Sequence, residues 1–260
     1  MTLFCVFRQG REKNFCESGW AVLRRYFVSN NLTSKQFWQE KWKFEDYQGW
    51  SDGSDNFVPE WHNILYGELT AYQGGDCLEV GCFPGRYLRY FERVYGMRAE
   101  GVDLMAPDEN AVTAIHQCDF FEFRSDKKYD VVCSFGFIEH FEVLDDVIQR
   151  HVDLVKEGGM VVITVPNFVH GWRFCARRKH DKELFVHHNR NAMVLGNIEN
   201  ILKNLKIRRY KLSPVRFSDK SFLQVSGVKR IIGKSVAALT RFMPPLDQGL
   251  ATEILIVLYK

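Results

Sequence analysis

No charge of one sign dominates the 260-residue sequence: 35 lysines and arginines stand against 32 acidic residues, for a formal net charge of +3. That balance disfavours a nucleic-acid partner, which calls for a continuous basic surface with stacking aromatics. No apolar run approaches the roughly 20 residues of a membrane-spanning helix. The seven cysteines are scattered and odd in number. They lack the paired spacing of a zinc site, so no metal is expected from them, and they read as reduced, mostly buried thiols of a cytoplasmic chain. Internal repeats and low-complexity tracts are absent. The opening run Met1-Thr2-Leu3-Phe4-Cys5-Val6-Phe7-Arg8 holds too short an apolar stretch for a secretion signal. What remains, 46% hydrophobic and 26% charged residues, is the composition of an ordinary globular protein with room for one large domain or two small ones.

The stretch from Cys77 to Asp103 organises the rest. Cys77-Leu78-Glu79-Val80 is a short apolar strand, Gly81-Cys82-Phe83-Pro84-Gly85 a tight turn, and Arg86-Tyr87-Leu88 the start of an amphipathic helix. Glycines in such a turn permit positive φ or close approach of a ligand, and the helix that follows directs its free N–H groups into the same space. Asp103 closes the next strand at roughly the 20-residue spacing from which a carboxylate accepts hydrogen bonds from a ribose. A nucleoside-bearing cofactor fits this arrangement. A nicotinamide dinucleotide turn wants glycines at its first, third and sixth places, and here those places hold Gly81, Phe83 and Arg86. A structural turn without a ligand is the alternative.

Along the chain, residues 1 to about 36 show no clear period, with a short helix expected around 19–28. Phe37 to Trp42 reads as a helix with Trp38 and Trp42 on one face, followed by Tyr47 and Trp50; that face either packs on the domain or lids the cofactor. Residues 52–56 form a polar turn, and a helix from Phe57 carries Trp61, Ile64, Leu65 and Leu69. Beyond Asp103 the pattern predicts a helix over 107–115, a third strand over 115–119, a fourth over 129–135, a helix over 141–156 ended by Gly158-Gly159, and a buried fifth strand over 160–166. A helix over 189–205 and strands over 206–212 and 252–259 follow. Alternating strands and helices predict an α/β, doubly wound, mostly parallel sheet with helices on both faces. Residues 1–50 read as an N-terminal extension with an aromatic lid, and 51–260 as the sheet-bearing domain.

Glu79, Gly81 and Gly85, with the acid two residues before the first glycine, resemble motif I of the class I S-adenosylmethionine-dependent methyltransferases. Three more stretches resemble that family in the right order: Cys118-Asp119-Phe120, the segment Ser134 to Phe141 with Glu139-His140, and Leu154 to Asn167. The resemblance covers about 77–167. It implies a Rossmann-like fold with an antiparallel C-terminal strand and S-adenosyl-L-methionine as cofactor. It further implies that Glu79, Gly81, Cys82, Phe83 and Gly85 meet the cofactor at the turn. Asp103 would lie at the ribose and Asp119 and Phe120 at the adenine, with Leu104 and Phe135 also meeting the cofactor. Phe83 departs from the pattern, where glycine is usual. Asp119 would otherwise simply cap a turn.

His140, just beyond the fourth strand, is the candidate catalytic base for a hydroxyl acceptor; otherwise Glu139-His140 shapes the start of the next helix. His170, His187 and His188 are weaker candidates. Arg173, Arg177, Arg178, Lys179, Lys182 and Arg190 form either a solvated face or a surface for an anionic substrate. The amphipathic run 228–239 reads as a surface helix, and lipid-linked substrates within the family leave peripheral membrane contact open. The expected activity is methyl transfer to a small-molecule, saccharide or lipid-linked substrate. The rivals are an RNA methyltransferase and a catalytically silent cofactor-binding regulator. Oligomeric state is not legible.

Overall fold

The computed structural model describes residues 31–44, 57–105, 114–167, 186–215, 251 and 253–260. The chain divides into two compact units, residues 1–31 and 32–260, and every described residue except Asn31 belongs to the second. The expected helix over 19–28, residues 107–113 of the helix expected over 107–115, the polar turn at 52–56, Tyr47 and Trp50 lie outside the described residues. So do His170, the basic residues 173–182 and the amphipathic run 228–239. Ala114 and Ile115, the last two residues of that expected helix, belong to a strand.

Among the described residues seven strands form the sheet: β1 (Asp76–Val80), β2 (Arg98–Asp103), β3 (Ala114–Gln117), β4 (Tyr129–Phe135), β5 (Val155–Pro166), β6 (Tyr210–Val215) and β7 (Glu253–Tyr259). Their order is β3-β2-β1-β4-β5-β7-β6. Strands β1 to β5 pair in parallel, while β7 runs antiparallel to both β5 and β6. The expected doubly wound sheet with an antiparallel C-terminal strand is therefore the observed one. The helices are α1 (Lys35–Phe44), α2 (His62–Thr70), α3 (Arg86–Tyr95), α4 (Leu144–Leu154) and α5 (Leu195–Asn204). Among the described residues no helix is long and apolar enough to cross a membrane.

Alternation along the strands divides the core between the two faces. Val161, Ile163 and Val165 of β5 pack with Leu144, Val147 and Ile148 of α4 and Ile198 and Leu202 of α5. Met160 and Val162 face the other way, with Leu65 and Leu69 of α2 and Leu88 and Phe91 of α3. Each such side chain contributes about 1.5–3 kcal/mol on burial, set against the cost of ordering the chain. Both faces are covered, which is why the central strands read as continuous apolar runs.

Several boundaries differ from the sequence-based expectation; the helix expected from Phe57, for one, starts at His62, with Trp61 at its N-cap. The helix expected over 141–156 is α4 at Leu144–Leu154, and Val155 already pairs with Tyr129 in the sheet. Gly158-Gly159 is thus no helix terminator but an irregularity inside β5, with Gly158 at φ +78. A Cβ on Gly159 would stand 2.8 Å from the Asp130 carbonyl, so pairing with β4 demands glycine there. Strand β3 ends at Gln117 instead of 119, because Asp119 turns the chain away by accepting the Phe121 N–H at 2.7 Å. The helix expected over 189–205 is a 3-10 turn (Arg190–Met193) and then α5, broken where Val194 adopts extended angles. Strand β6 begins at Tyr210 and not 206, since Lys206 takes a left-handed φ of 59.

Candidate active site

Strand β1 sends its neighbours β2 and β4 to opposite sides, so the sheet order reverses at its carboxyl end, where doubly wound folds bind ligands. The chain leaves β1 through Gly81 at φ +70 and enters α3 through Gly85 at φ +89. Gly85, at the N-cap, has no side chain to cap α3; of the first-turn N–H groups, that of Leu88 faces the Glu79 carboxyl. The two glycines are required for different reasons. A Cβ on Gly81 would stand 2.5 Å from the Phe137 ring, whereas one on Gly85 would meet nothing nearer than Arg89 at 3.7 Å. Cys82 turns its side chain inward, into the space that the absence of a Cβ on Gly101 leaves. Phe83 is half-buried and has a φ outside the left-handed region, so glycine's freedom is not needed at that position.

Asp103 is drawn against this turn. Its Oδ2 accepts the Phe83 N–H at 2.9 Å and its Oδ1 the Met105 N–H at 2.7 Å. Burial raises its pKa, and these N–H groups together with that of Leu104 oppose the rise. Glu79, beneath the turn, is 2% exposed, and its Oε2 has no hydrogen-bond partner. Burial first, then the Asp103 carboxylate, push its carboxyl well above the usual range. A glycine turn, a strand-end carboxylate, a helix start and a buried acid with one unpartnered oxygen together suit a nucleoside-bearing ligand with a cationic part.

The other expected cofactor residues are placed less uniformly. Asp119 caps its turn through Phe121 as described, and its backbone carbonyl accepts N–H groups from Glu122 and Phe123. Phe120 is 4% exposed and held between Phe137, His151 and the Arg150 guanidinium, which leaves its ring little to offer a ligand. Leu104 is half-buried, its carbonyl accepting from Gln117 at 3.3 Å. Phe135, at the end of β4, stacks on Tyr87 at 4.0 Å and on Trp61 at 5.2 Å. Sequence reasoning missed this aromatic wall. Trp61 had read as one apolar position of a helix; its four-residue-ahead partners gave no sign that the ring faced a strand end.

His140 lies in a 3-10 turn (Ile138–His140) directly after β4 and is 6% exposed. That turn is stapled to residues 187–189. Asn189 donates its backbone N–H to the Glu139 carbonyl at 2.6 Å and its side-chain amide to Phe141 and Glu142. The His140 Nδ1–H donates to the His187 carbonyl at 2.8 Å; because a carbonyl only accepts, the tautomer leaves the lone pair on Nε2. Burial, then the neighbouring His188, lowers the His140 pKa to about 3, so the ring is neutral. Glu139 is 1% exposed, with burial pushing its carboxyl up to about 8 and its Oε2 unpartnered. Helix α1 covers the cluster: the Trp38 ring meets His140 at 4.9 Å, and Phe37 meets His187 at 4.4 Å. His187 and His188, weak candidates from sequence, thus join His140, whereas Arg190 is exposed.

Known proteins resemble this chain at the level of fold. Plantazolicin methyltransferase BpumL, solved with a triazolic desmethylPZN analogue and S-adenosylhomocysteine (SAH), superposes with a TM-score of 0.53 at 19% identity, covering 85% of this chain and 93% of that one. A SAM-dependent methyltransferase of Archaeoglobus fulgidus superposes with 0.53 at 18% identity, covering 83% and 100%. Phosphoethanolamine N-methyltransferase 2 of Haemonchus contortus, solved with phosphomonomethylethanolamine and S-adenosylhomocysteine, gives 0.55 at 18% identity, over 88% of this chain and 60% of that one. No curated protein matches the sequence. Residues 62–207, from α2 through α5, match the methyltransferase domain family. With its strand order and its glycine turn, the chain belongs to the class I S-adenosylmethionine-dependent methyltransferases.

Proposed function

We propose that the protein transfers a methyl group from S-adenosylmethionine to oxygen, nitrogen or carbon of a small-molecule, saccharide-bearing or lipid-linked substrate. The observation that carries this reading is the Asp103 carboxylate held against the glycine turn where the sheet order reverses. The phosphomonomethylethanolamine bound to the Haemonchus contortus enzyme supports a small acceptor on this fold.

When bound, the cofactor supplies a methyl carried on a positively charged sulfonium. The chain's part is to hold donor and acceptor in line and to keep water out. In this reading Asp103 accepts from the ribose hydroxyls. The backbone of Gly81, Cys82, Phe83 and Gly85 lines the donor, and Glu79 supports the turn from below. Leu104 stands beside Asp103 along the cofactor, and Asp119 flanks the base. Trp61, Tyr87 and Phe135 keep the carboxyl end of β4 dry, and aromatic faces of this kind tolerate a cation. His140 holds the acceptor's polar atom; a base as weak as its buried imidazole receives a proton only from a group that methylation has made strongly acidic. Titration calorimetry with the methyl donor and with its demethylated product tests the cofactor half. Transfer of labelled methyl to fractionated metabolites and lipids tests the acceptor half. Binding of a nicotinamide dinucleotide with no affinity for the methyl donor would overturn the reading.

A further inference from the structure

We propose that Glu139, His140 and His188 form a binding site for a divalent first-row transition-metal cation, beside the methyl-transfer site. One ligand atom from each of the three lies within 4.8 Å of the others. The Glu139 Oε1 is 3.9 Å from the His140 Nε2, and the His140 and His188 rings are 4.5 Å apart. Two imidazoles and one carboxylate suit zinc, manganese, cobalt or iron(II), whereas magnesium and calcium favour all-oxygen sets. Three protein ligands also leave coordination positions open, as in catalytic sites and unlike closed structural ones.

Two independent features point to a ligand. Glu139 is 1% exposed, yet its Oε2 has no hydrogen-bond partner; a buried carboxyl group left unsatisfied is costly unless something pairs with it. The second is the orientation of His140. Its Nδ1–H is given to the His187 carbonyl at 2.8 Å, the outer-shell hydrogen bond that commonly fixes a metal-binding imidazole and turns its other nitrogen to the ion. Separations of up to 4.8 Å exceed the roughly 3.3 Å between ligands of a tetrahedral ion with bonds of about 2.0–2.1 Å. Closing them asks for a shift of about an ångström by the His188 side chain, which is half-buried on a bend, and for a smaller closing of the 3.9 Å between the Glu139 Oε1 and the His140 Nε2.

This inference rests on the reading of the site given above and deepens it. The acceptor's oxygen or nitrogen would be held through the cation at an open coordination position, and His140 would act as ligand and not as base. Trp38, at 4.9 Å from the His140 ring, would wall the site off from water.

The test uses the whole chain, purified without a polyhistidine tag and stripped with chelator. It is dialysed against zinc and, separately, cobalt(II), with metal content measured by mass spectrometry and the cobalt form read by its visible absorption. One equivalent per chain is expected, with cobalt bands of low-coordinate N/O ligation. Affinity should fall at least tenfold in both Glu139→Gln and His188→Ala; the latter alters the most accessible ligand and, checked by circular dichroism, keeps the test valid if the buried variant unfolds. Failure of the native chain to bind either ion stoichiometrically overturns the proposal, and so does undiminished binding by folded His188→Ala. Donor calorimetry on stripped and loaded protein separates the two readings. Metal binding without donor affinity sinks the methyltransferase assignment of the site and leaves the cation site standing, and the converse sinks only the cation.

Discussion

Asp103 Oδ2 accepts the backbone N–H of Phe83 at 2.9 Å, tying the end of β2 to the turn that follows β1. The carboxylate is therefore a structural anchor of the turn as well as the candidate ribose acceptor. Asp103→Ala is expected to weaken donor binding by about 1.5–3 kcal/mol, the scale of a lost hydrogen bond to a charged group, and to lower thermal stability as well. Calorimetry and thermal unfolding read the two effects. Unchanged donor affinity would remove Asp103 from the site.

Phe83 occupies the place where glycine is usual in the family, yet its φ lies outside the left-handed region. Nothing in its backbone conformation demands glycine. Phe83→Gly should therefore change donor affinity by less than about tenfold, or roughly 1.4 kcal/mol. Were only the glycine variant to bind the donor, the native chain would be a silent relative of the family.

Gly81 and Gly85 separate backbone strain from steric clash. Both have positive φ, but only a Cβ at Gly81 runs into a ring, that of Phe137 at 2.5 Å. Gly85→Ala should cost about 1–2 kcal/mol for the left-handed conformation alone, and Gly81→Ala clearly more. Equal losses in denaturant unfolding would show that Phe137 yields without cost.

Two groups outside the candidate site contribute to acid stability beside the buried His140. Burial lowers the pKa of His151 to about 4, with its Nδ1 donating to the Val147 carbonyl at 2.7 Å. Between about pH 6.5 and 4 the unfolded chain takes up a proton at this ring that the native one refuses, so its contribution to stability falls with pH at up to about 1.4 kcal/mol per unit. Asp76 acts lower down. Arg98 first, with Lys127 and Lys156, holds its carboxyl far below the usual range. Its contribution is complete above the unfolded carboxyl's pKa of about 3.9 and is lost as pH falls toward the folded value. His151→Gln should flatten the upper window and Asp76→Asn the lower one in unfolding titrations. An unaltered slope in either variant would refute its assignment.

What the sequence by itself determined was whatever depends on neighbours along the chain. The runs at Cys77–Val80, Val131–Phe135 and Val161–Val165 are strands because both their faces must be buried, and that requirement is written in consecutive apolar residues. Gly81, Gly85 and the spacing to Asp103 marked the turn, because left-handed angles exclude most other residues. The tertiary structure decided what depends on partners far along the chain. Val155 left the helical pattern because Tyr129 offered it a strand to pair with, a gain no local propensity records. Asp103 was legible as a carboxylate but not as the acceptor of the Phe83 N–H. Glu139, His140 and His188 came together only because Asn189 and the His187 carbonyl pin two distant loops at the end of β4. Periodicity describes which face of an element is buried; it carries no information about which loops the assembled sheet will bring to one edge.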